Sequence, residues 1–308
     1  MRLKVLCNYD RDTETKFGDC ILLYDNDNLV IYDCGHEKHA ETVVEFLESN
    51  TSVSNVMIVV SHDHEDHTDG IEKLFEFLSE TSHNVTVYTP LYLKDTRVVL
   101  DILDDDKRTL PATKKNILKI FDGLAAIVSS ATELGFSVEN ARIGTTIAGA
   151  SCEIVGPTEE EFAEVVAEAI KTDGEGNIDG ETVMNAASVQ LMCSLNNNKR
   201  VLLCGDASPK YLRNLEDYRI VQLPHHGKLS SAEAVFEKIS KLIGYYTFII
   251  SDNTGNSNGG SDDLMASEAS SAVEIMNTKD GDVIELGGIH IYARAEEASQ
   301  RHGICGGL

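Results

Sequence analysis

The first ninety residues alternate short apolar stretches with helical patterns, and this alternation constrains the fold more than any other feature. Strand-like apolar residues stand between polar turns in five stretches, at 2–9, 19–25, 28–35, 55–61 and 84–90. Apolar residues at helical spacing occupy 39–50 and 70–81. Strands that alternate with helices predict a layered α/β fold in which the helices cover the faces of a sheet.

A similar pattern returns in the second half of the chain. Apolar strands are predicted over 145–158, 219–227 and 245–251, and a β-hairpin with an Asn-rich turn over 186–206. Helices are predicted over 159–171, 231–240 and 264–277. Between the halves, residues 94–140 show helical spacing only, which predicts a helical insertion. Two α/β halves packed sheet on sheet would bring the ends of their strands together along one edge.

Side chains that can bind metals follow four of these predicted strands. Asp33 ends one strand, the stretch HDHEDH at 62–67 follows another, Asp206 ends a third, and His225 with His226 ends a fourth. A carboxylate directly after an apolar strand is poorly placed unless a partner satisfies it. Four such strand ends in one chain therefore predict a shared metal site.

The spacing within 62–67 suits two metal positions. His62 and His64 flank a single residue, so both imidazoles can face one way, while Asp66 and His67 can face a second position. Asp206 has two carboxylate oxygens and could bridge two ions. Imidazole and carboxylate ligands suit borderline divalent metals such as zinc.

The arrangement H-x-H-x-D-H after an apolar strand resembles the signature of the metallo-β-lactamase superfamily. The segments FGDCILLYDNDNLVIYDCG at 17–35 and KRVLLCGDAS at 199–208 are similar to its opening strands and to its bridging aspartate segment. The segments IVQLPHHGKLSS at 220–231 and NAASVQLM at 185–192 resemble the branch related to the metallo-β-lactamase-like domain of the DNA-uptake protein ComEC. The resemblance covers most of the chain and implies a single domain, 1–308, with a four-layered αβ/βα sandwich.

By position, the resemblance assigns His62 and His64 to a first metal ion and Asp66 and His67 to a second. Asp206 would bridge the two ions. One of the adjacent histidines 225 and 226 would complete the second site; His226 is favoured as the ligand, although the reverse order is nearly as good.

Other residues receive supporting roles from the same resemblance. Asp33 would support the metal-site loop, and His225 would then serve as a proton donor. Many superfamily members supply a further histidine to the first metal, and this sequence has none at that place. Asn185 and Ser188 stand near it and are candidate site or substrate groups, which leaves a weaker first site and allows manganese as well as zinc. Lys228 directly follows the histidine pair and could contact a substrate phosphate.

Two divalent ions would activate a bridging hydroxide as the nucleophile, with Asp66 and Asp33 in the catalytic centre and His225 as the acid. The favoured function is therefore cleavage of a phosphodiester, as a nuclease or a small phosphodiesterase. Hydrolysis of a thioester, lactone or lactam uses the same site and remains an alternative. A third interpretation is an assembly component with a residual metal site and a protein partner, suggested by the glycine-containing tail at 296–308, which is expected to be flexible.

Charge and composition limit the partners. With 26 basic and 51 acidic residues the net charge is −25, which disfavours a grip on long duplex DNA and favours a small nucleotide or short strand. Seven cysteines without a C-x-x-C pair are typical of a reduced cytoplasmic protein. No apolar stretch predicts a signal peptide or a membrane span. The oligomeric state stays open.

Overall fold

The computed structural model describes residues 1–7, 18–90, 96–103, 109–254, 260–279 and 281–288. Within these ranges the strands form two seven-stranded sheets and one two-stranded hairpin. The hairpin pairs β9 (Asn177–Ile178) with β10 (Glu181–Thr182) in antiparallel register.

The first sheet is built mainly from the N-terminal half of the chain. In spatial order it contains β16 (Ile284–Leu286), β1 (Arg2–Val5), β2 (Ile21–Tyr24), β3 (Asn28–Tyr32), β4 (Asn55–Val59), β5 (Asn84–Thr89) and β6 (Ser137–Asn140). Strands β3 to β6 are parallel, and the remaining pairs are antiparallel.

The second sheet has the same plan. In spatial order it contains β15 (Glu274–Asn277), β14 (Thr247–Ile250), β13 (Ile220–Gln222), β12 (Arg200–Leu203), β11 (Gln190–Ser194), β8 (Cys152–Gly156) and β7 (Thr146–Ile147). Strands β12 to β15 are parallel, and the other pairs are antiparallel.

Besides two 3-10 helical turns at Pro209–Tyr211 and Leu215–Asp217, the described residues contain twelve α-helices, some of a single turn. They are α1 (Glu37–Ser49), α2 (Glu65–Thr68), α3 (Ile71–Ser79), α4 (Thr96–Leu103), α5 (Leu110–Ile120), α6 (Asp122–Glu133), α7 (Glu159–Thr172), α8 (Val183–Ala186), α9 (Pro224–Gly227), α10 (Leu229–Ser240), α11 (Asp262–Ala266) and α12 (Glu268–Ser271). None of them is long and apolar enough to cross a membrane.

The central strands are buried on both faces, which explains why their sequences are apolar without interruption. In β3, Val30 and Tyr32 belong to a cluster between the two sheets that also contains Leu191 and Leu203 of the second sheet. Their neighbours Leu29 and Ile31 point to the opposite face, because side chains alternate along a strand.

Helices cover the outer face of each sheet. Buried residues of α1 and α3, such as Val43 and Phe75, pack with the outer face of the first sheet. Val235 of α10 packs with Val221 and Phe248 on the outer face of the second. The layers therefore run helix, sheet, sheet, helix, and the predicted four-layered α/β sandwich is confirmed.

Two helix predictions are wrong at their C-terminal ends. The segment 94–140 contains α4, α5 and α6, but Gly135 at φ 79° ends the helical part and Ser137–Asn140 pairs with β5 as a strand. The helix predicted over 264–277 is interrupted at Ser267 and ends at Ser271, and Glu274–Asn277 pairs with β14. Pairing with a neighbouring strand overrides a local helical pattern in both cases. The tail at 296–308 lies outside the described residues.

Candidate metal centre

The candidate site lies where parallel strands of both sheets end. Asp33 follows β3, the loop 61–67 follows β4, Asp206 follows β12, and the pair 225–226 follows β13. The carboxyl ends of parallel strands meet at one edge, where ligands bind in open α/β folds. The packed sheets bring their two edges together here, so residues far apart in sequence become neighbours.

Sharp backbone turns direct these side chains inward. Asp33, His225 and His226 have φ values of 60°, 53° and 51°, in the left-handed region that side chains other than glycine rarely adopt. Gly205 has φ 49° directly before Asp206. Strained conformations of this kind cluster at functional sites, because the surrounding structure must hold them in place.

The loop 61–67 is fastened to the end of β3 by backbone hydrogen bonds. Cys34 donates its N–H to the carbonyl of His67 at 3.0 Å, and Asp19 donates to the carbonyl of Asp66 at 2.9 Å. Gly35 lies so close to Asp66 that any side chain there would overlap the carbonyl oxygen of Asp66. The close contact fixes the loop that carries the histidines.

Asp33 is completely buried and orients the last histidine of the motif. One carboxylate oxygen accepts the backbone N–H of Ser61 at 2.7 Å, and the other lies 2.8 Å from Nδ1 of His67. Burial raises the pKa of Asp33, although His67 and the hydrogen bonds act against it. The contact with Nδ1 leaves Nε2 of His67 as the nitrogen that faces the site.

One group of potential ligand atoms joins His62, His67 and Asp206. Nε2 of His67 lies 3.4 Å from Oδ1 of Asp206, and Nε2 of His62 lies 4.0 Å from its Oδ2. These two nitrogens and Oδ1 of Asp206 are buried and have no hydrogen-bond partner among the described residues. Ligand atoms that are buried and unsatisfied are those that a bound cation would satisfy.

A second group joins Asp66, His67 and His226. Nε2 of His226 lies 3.0 Å from Oδ2 of Asp66, although the two residues are 160 positions apart in sequence. Nδ1 of His226 contacts the carbonyl of Ser251 at 2.9 Å. His67 belongs to both groups, so the two candidate positions are adjacent.

The charges in this region also suit a cation. Burial raises the pKa of Asp206, but His67 and His226 outweigh burial and hold that pKa well below its ordinary value. Burial lowers the pKa of His67, but Asp206 and Asp33 outweigh it and raise that pKa well above the ordinary value. Burial keeps the pKa of His62 well below its ordinary value, so this imidazole is neutral, the form that binds metals. The donor set therefore fits divalent metal ions.

The structure separates the two adjacent histidines of the C-terminal motif. His226 is buried beside Asp66, whereas Nδ1 of His225 lies 2.6 Å from a carboxylate oxygen of Glu181. His64, the other predicted ligand of the first metal, has its ring centre 4.9 Å from that of His62. His64 does not belong to any of the converging ligand groups within the described residues.

The predicted substrate residues have other partners. Asn185 is buried and donates to Oδ2 of Asp206 at 3.1 Å. Ser188 is completely buried and donates to the carbonyl of Asn185, so it has no access to a substrate. The hydrogen bond from Ser188 fixes the turn that places Asn185. Lys228 lies 3.2 Å from both carboxylate oxygens of Glu181, so its charge is already paired.

Glu181 is a site residue that sequence reasoning missed. This buried glutamate stands on β10 and contacts His225, Lys228 and, at 2.5 Å, the hydroxyl of Ser231. Burial acts to raise the pKa of Glu181, but the hydrogen bonds of His225 and Ser231 outweigh it, so the pKa lies below its ordinary value. An ionised Glu181 holds the ring of His225 in one orientation.

Asp19 and Gln222 were also missed as site residues. Nε2 of Gln222 donates to Oδ2 of Asp19 at 2.7 Å, and Oδ1 of Asp19 lies 3.3 Å from Nδ1 of His226. Asp19 lies in the segment 17–35, which resembles the opening strands of the superfamily, and the resemblance gives Asp19 no role. Its position directly before the apolar strand β2 was the available signal that Asp19 needs a buried partner.

No model of a known protein family and no curated protein matches the chain. Among solved structures, the metallo-β-lactamase fold protein YhfI from Bacillus subtilis is similar with 12% identity and a TM-score of 0.51, over 92% of this chain and 99% of that one. Human tRNase Z, short form, is 13% identical over 92% of this chain and 98% of that one, with a TM-score of 0.41. The likeness to YhfI shows that the chain has the metallo-β-lactamase fold, as the sequence predicted.

Proposed function

We propose that this protein is a metal-dependent hydrolase with two divalent ions and that it cleaves phosphodiester bonds. The proposal is carried by the convergence of histidines and carboxylates from both sheets. Among them, Nε2 of His62, Nε2 of His67 and Oδ1 of Asp206 are buried without a hydrogen-bond partner in the described part of the chain. The finer assignment to the ComEC-like branch is supported by the sequence resemblance.

Two ions would share these ligands, and His67, which belongs to both groups, is assigned to the second ion. His62 and Asp206, with His64 close by, would hold one ion; Asp66, His67 and His226 would hold the other, with Asp206 between them. When bound, divalent ions supply Lewis acidity and lower the pKa of a water molecule. Zinc is favoured by the histidines, and manganese is allowed.

The remaining residues orient these groups and move a proton. Asp33 keeps Nε2 of His67 turned toward Asp206, and Asn185 orients the carboxylate of Asp206. His225 is a third exposed, is held by Glu181, and lies beside the buried His226. Its free nitrogen can donate a proton to the oxygen of a leaving group, which is why a phosphodiester with an alkoxide leaving group suits the site.

The size and charge of the substrate follow from the surroundings. The net charge of −25 works against a long polyanion, so a small nucleotide diester or a short single strand fits better.

The ion pair of Lys228 with Glu181 favours one competing function. Because that cation is already neutralised, hydrolysis of an uncharged thioester, lactone or lactam is the second candidate.

One experiment separates these functions. We expect about two divalent ions per chain by elemental mass spectrometry and turnover of bis(p-nitrophenyl) phosphate that exceeds turnover of thioester and lactone panels. Asp206→Asn should reduce turnover at least about 100-fold, which exceeds the loss expected for a residue that only orients a metal ligand. The exposed carboxylate variant Asp263→Asn is the matched control.

Two results would overturn the proposal. Fewer than one ion per chain together with no turnover of any substrate would remove the hydrolase function. Turnover of thioesters or lactones alone would replace the phosphodiester assignment with the second candidate.

A further inference from the structure

Asp63, the residue between the first two histidines of the motif, faces away from the metal centre. Its carboxylate lies against the N-terminus of α6, where a Cβ on Gly123 would overlap Oδ1 of Asp63. Burial raises the pKa of this carboxyl, and the backbone N–H groups of Leu124 and Gly123 act against that rise. These two residues belong to the first turn of α6, in the helical segment between the two halves of the chain. The metal-site loop and that segment are therefore in direct polar contact.

The contact replaces a missing helix cap. The residue before α6 is Phe121, whose side chain makes no capping hydrogen bond, so the first N–H groups of the helix need an acceptor from elsewhere. Asp63 brings a carboxylate from another element to these N–H groups, and its Oδ2 is buried without a hydrogen-bond partner among the described residues. A carboxylate at the N-terminus of a helix is also favoured by the helix dipole.

Gly123 makes the close approach possible. A side chain at this position would overlap the carboxylate of Asp63. The helical backbone of Gly123 does not itself require glycine, and glycine weakens a helix relative to alanine. Space for Asp63 is the physical reason for a glycine in the first turn.

The helix that carries this contact is itself firmly packed. Leu124, Ile127 and Ala131 of α6 are buried in the core cluster on the outer side of the first sheet. Ser130 donates to a carboxylate oxygen of Glu72 on α3 at 2.9 Å. The N-terminus of α6 is therefore a fixed point against which the loop can be held.

We propose that Asp63 is a positioning residue that couples the helical insertion to the metal centre by fixing the backbone between His62 and His64. The inference rests on the proposed metal site. Because Asp63 lies directly between His62 and His64 in the chain, holding its side chain against α6 restricts the orientations that the two neighbouring imidazoles can adopt. The insertion thus sets the affinity of the first ion without contributing a ligand.

The test measures metal affinity and needs no substrate. Successive dissociation constants for zinc are obtained by competition with a chromogenic chelator, for wild type and variants of the full chain. Asp63→Ala should weaken the first ion about 10- to 100-fold, the range for groups that orient ligands. Asp63→Asn, whose amide oxygen can still accept from α6, should keep most of the affinity.

A clash introduced from the other side tests the same contact. Gly123→Ala should also weaken the first ion, but it should add little in the Asp63→Ala background, because the overlapping carboxylate is gone. Such non-additivity is the mark of a direct interaction. Ser129→Ala, at an exposed position of the same helix, should bind zinc like wild type.

The outcomes separate this inference from the proposed function. Wild type that binds no zinc would overturn both. Wild type that binds two ions, with unchanged affinity in Asp63→Ala and Gly123→Ala, would overturn the coupling alone. Lower stability of metal-free Asp63→Ala with wild-type affinity would assign Asp63 a purely structural role and would also overturn it. If Asp63→Ala does not fold, Gly123→Ala against Ser129→Ala decides.

Discussion

At the scale of single residues, the proposed proton transfer depends on the pair Glu181 and His225. The buried carboxylate lies 2.6 Å from Nδ1 of His225, and the other ring nitrogen is left for a substrate. A carboxylate in this position fixes the tautomer and orientation of an imidazole. The sequence predicted His225 as the proton donor but gave it no partner.

Glu181→Gln tests this pair. We expect kcat for a diester with a poor alkoxide leaving group to fall about 100-fold, within the range attributed to general acids. Turnover of bis(p-nitrophenyl) phosphate should change little, because its leaving group departs without a proton. Comparing kcat for the two substrates across pH measures the effect. Glu233→Gln, the same change at an exposed position of α10, is the matched control. An equal loss on both substrates would contradict an acid role.

The motif residues could be predicted from sequence because they lie close together and their chemistry is unusual for a loop. Glu181 could not, because it is 44 positions from His225 within a glycine-rich polar segment that has no motif of its own. Its role exists only once the hairpin of β9 and β10 is placed beside α9. The sequence also does not decide which of His225 and His226 is the ligand. The left-handed backbone at both residues directs the two rings to different partners, and the sequence does not reveal that turn.

At the scale of secondary structure, the site depends on how loops at strand ends are packed together. Gly35, after β3, lies so close to Asp66 that there is no room for a side chain on its α-carbon. The neighbouring hydrogen bonds from Cys34 and Asp19 to the motif loop need the same approach. The loop after β3 therefore holds the loop after β4 in position.

Gly35→Ala should separate the two loops. We expect the free energy of unfolding of the metal-free protein to fall by about 2 kcal/mol, as for overpacking elsewhere in a well-packed interior. Urea denaturation followed by circular dichroism gives the value. Gly288→Ala is the control, since a side chain there meets no atom within 4 Å. Equal stability of the two variants would show that the loops adjust without cost.

Strands with a strong apolar pattern were predicted well, whereas strands identified only by pairing with a neighbouring strand were not. The apolar stretches at 28–35 and 55–61 became β3 and β4 because they are buried on two faces. In contrast, β6 and β15 have few buried residues, and only the adjacent strands β5 and β14 identify them. Hydrogen bonding to a neighbour far away in sequence leaves no local pattern.

At the scale of the whole molecule, the candidate metal centre lies where the two sheets meet and takes residues from both. Its ligand groups combine His62, Asp66 and His67 from the first sheet with Asp206 and His226 from the second. The alternation of strands and helices predicted two packed halves, but no sequence pattern states which residues of one half face the other. The resemblance to the superfamily predicted that the motif at 62–67 and the histidine pair at 225–226 lie together. In the structure they meet in the contact between Asp66 and His226.

A centre that joins two sheets should stabilise the whole fold when metal binds. Binding to the folded state alone adds about 2.7 kcal/mol at a free metal concentration of 100 times Kd. For a chain of this size that corresponds to a rise in Tm of roughly 5 °C. Differential scanning calorimetry with zinc, then with a chelator, should show the rise and its reversal. Asp206→Asn should lose the rise and Asp263→Asn should keep it, because only the first removes a ligand shared by the two halves. A similar rise in both variants would mean that zinc binds elsewhere on this acidic chain, and the two sheets would then be held together by their apolar interface alone.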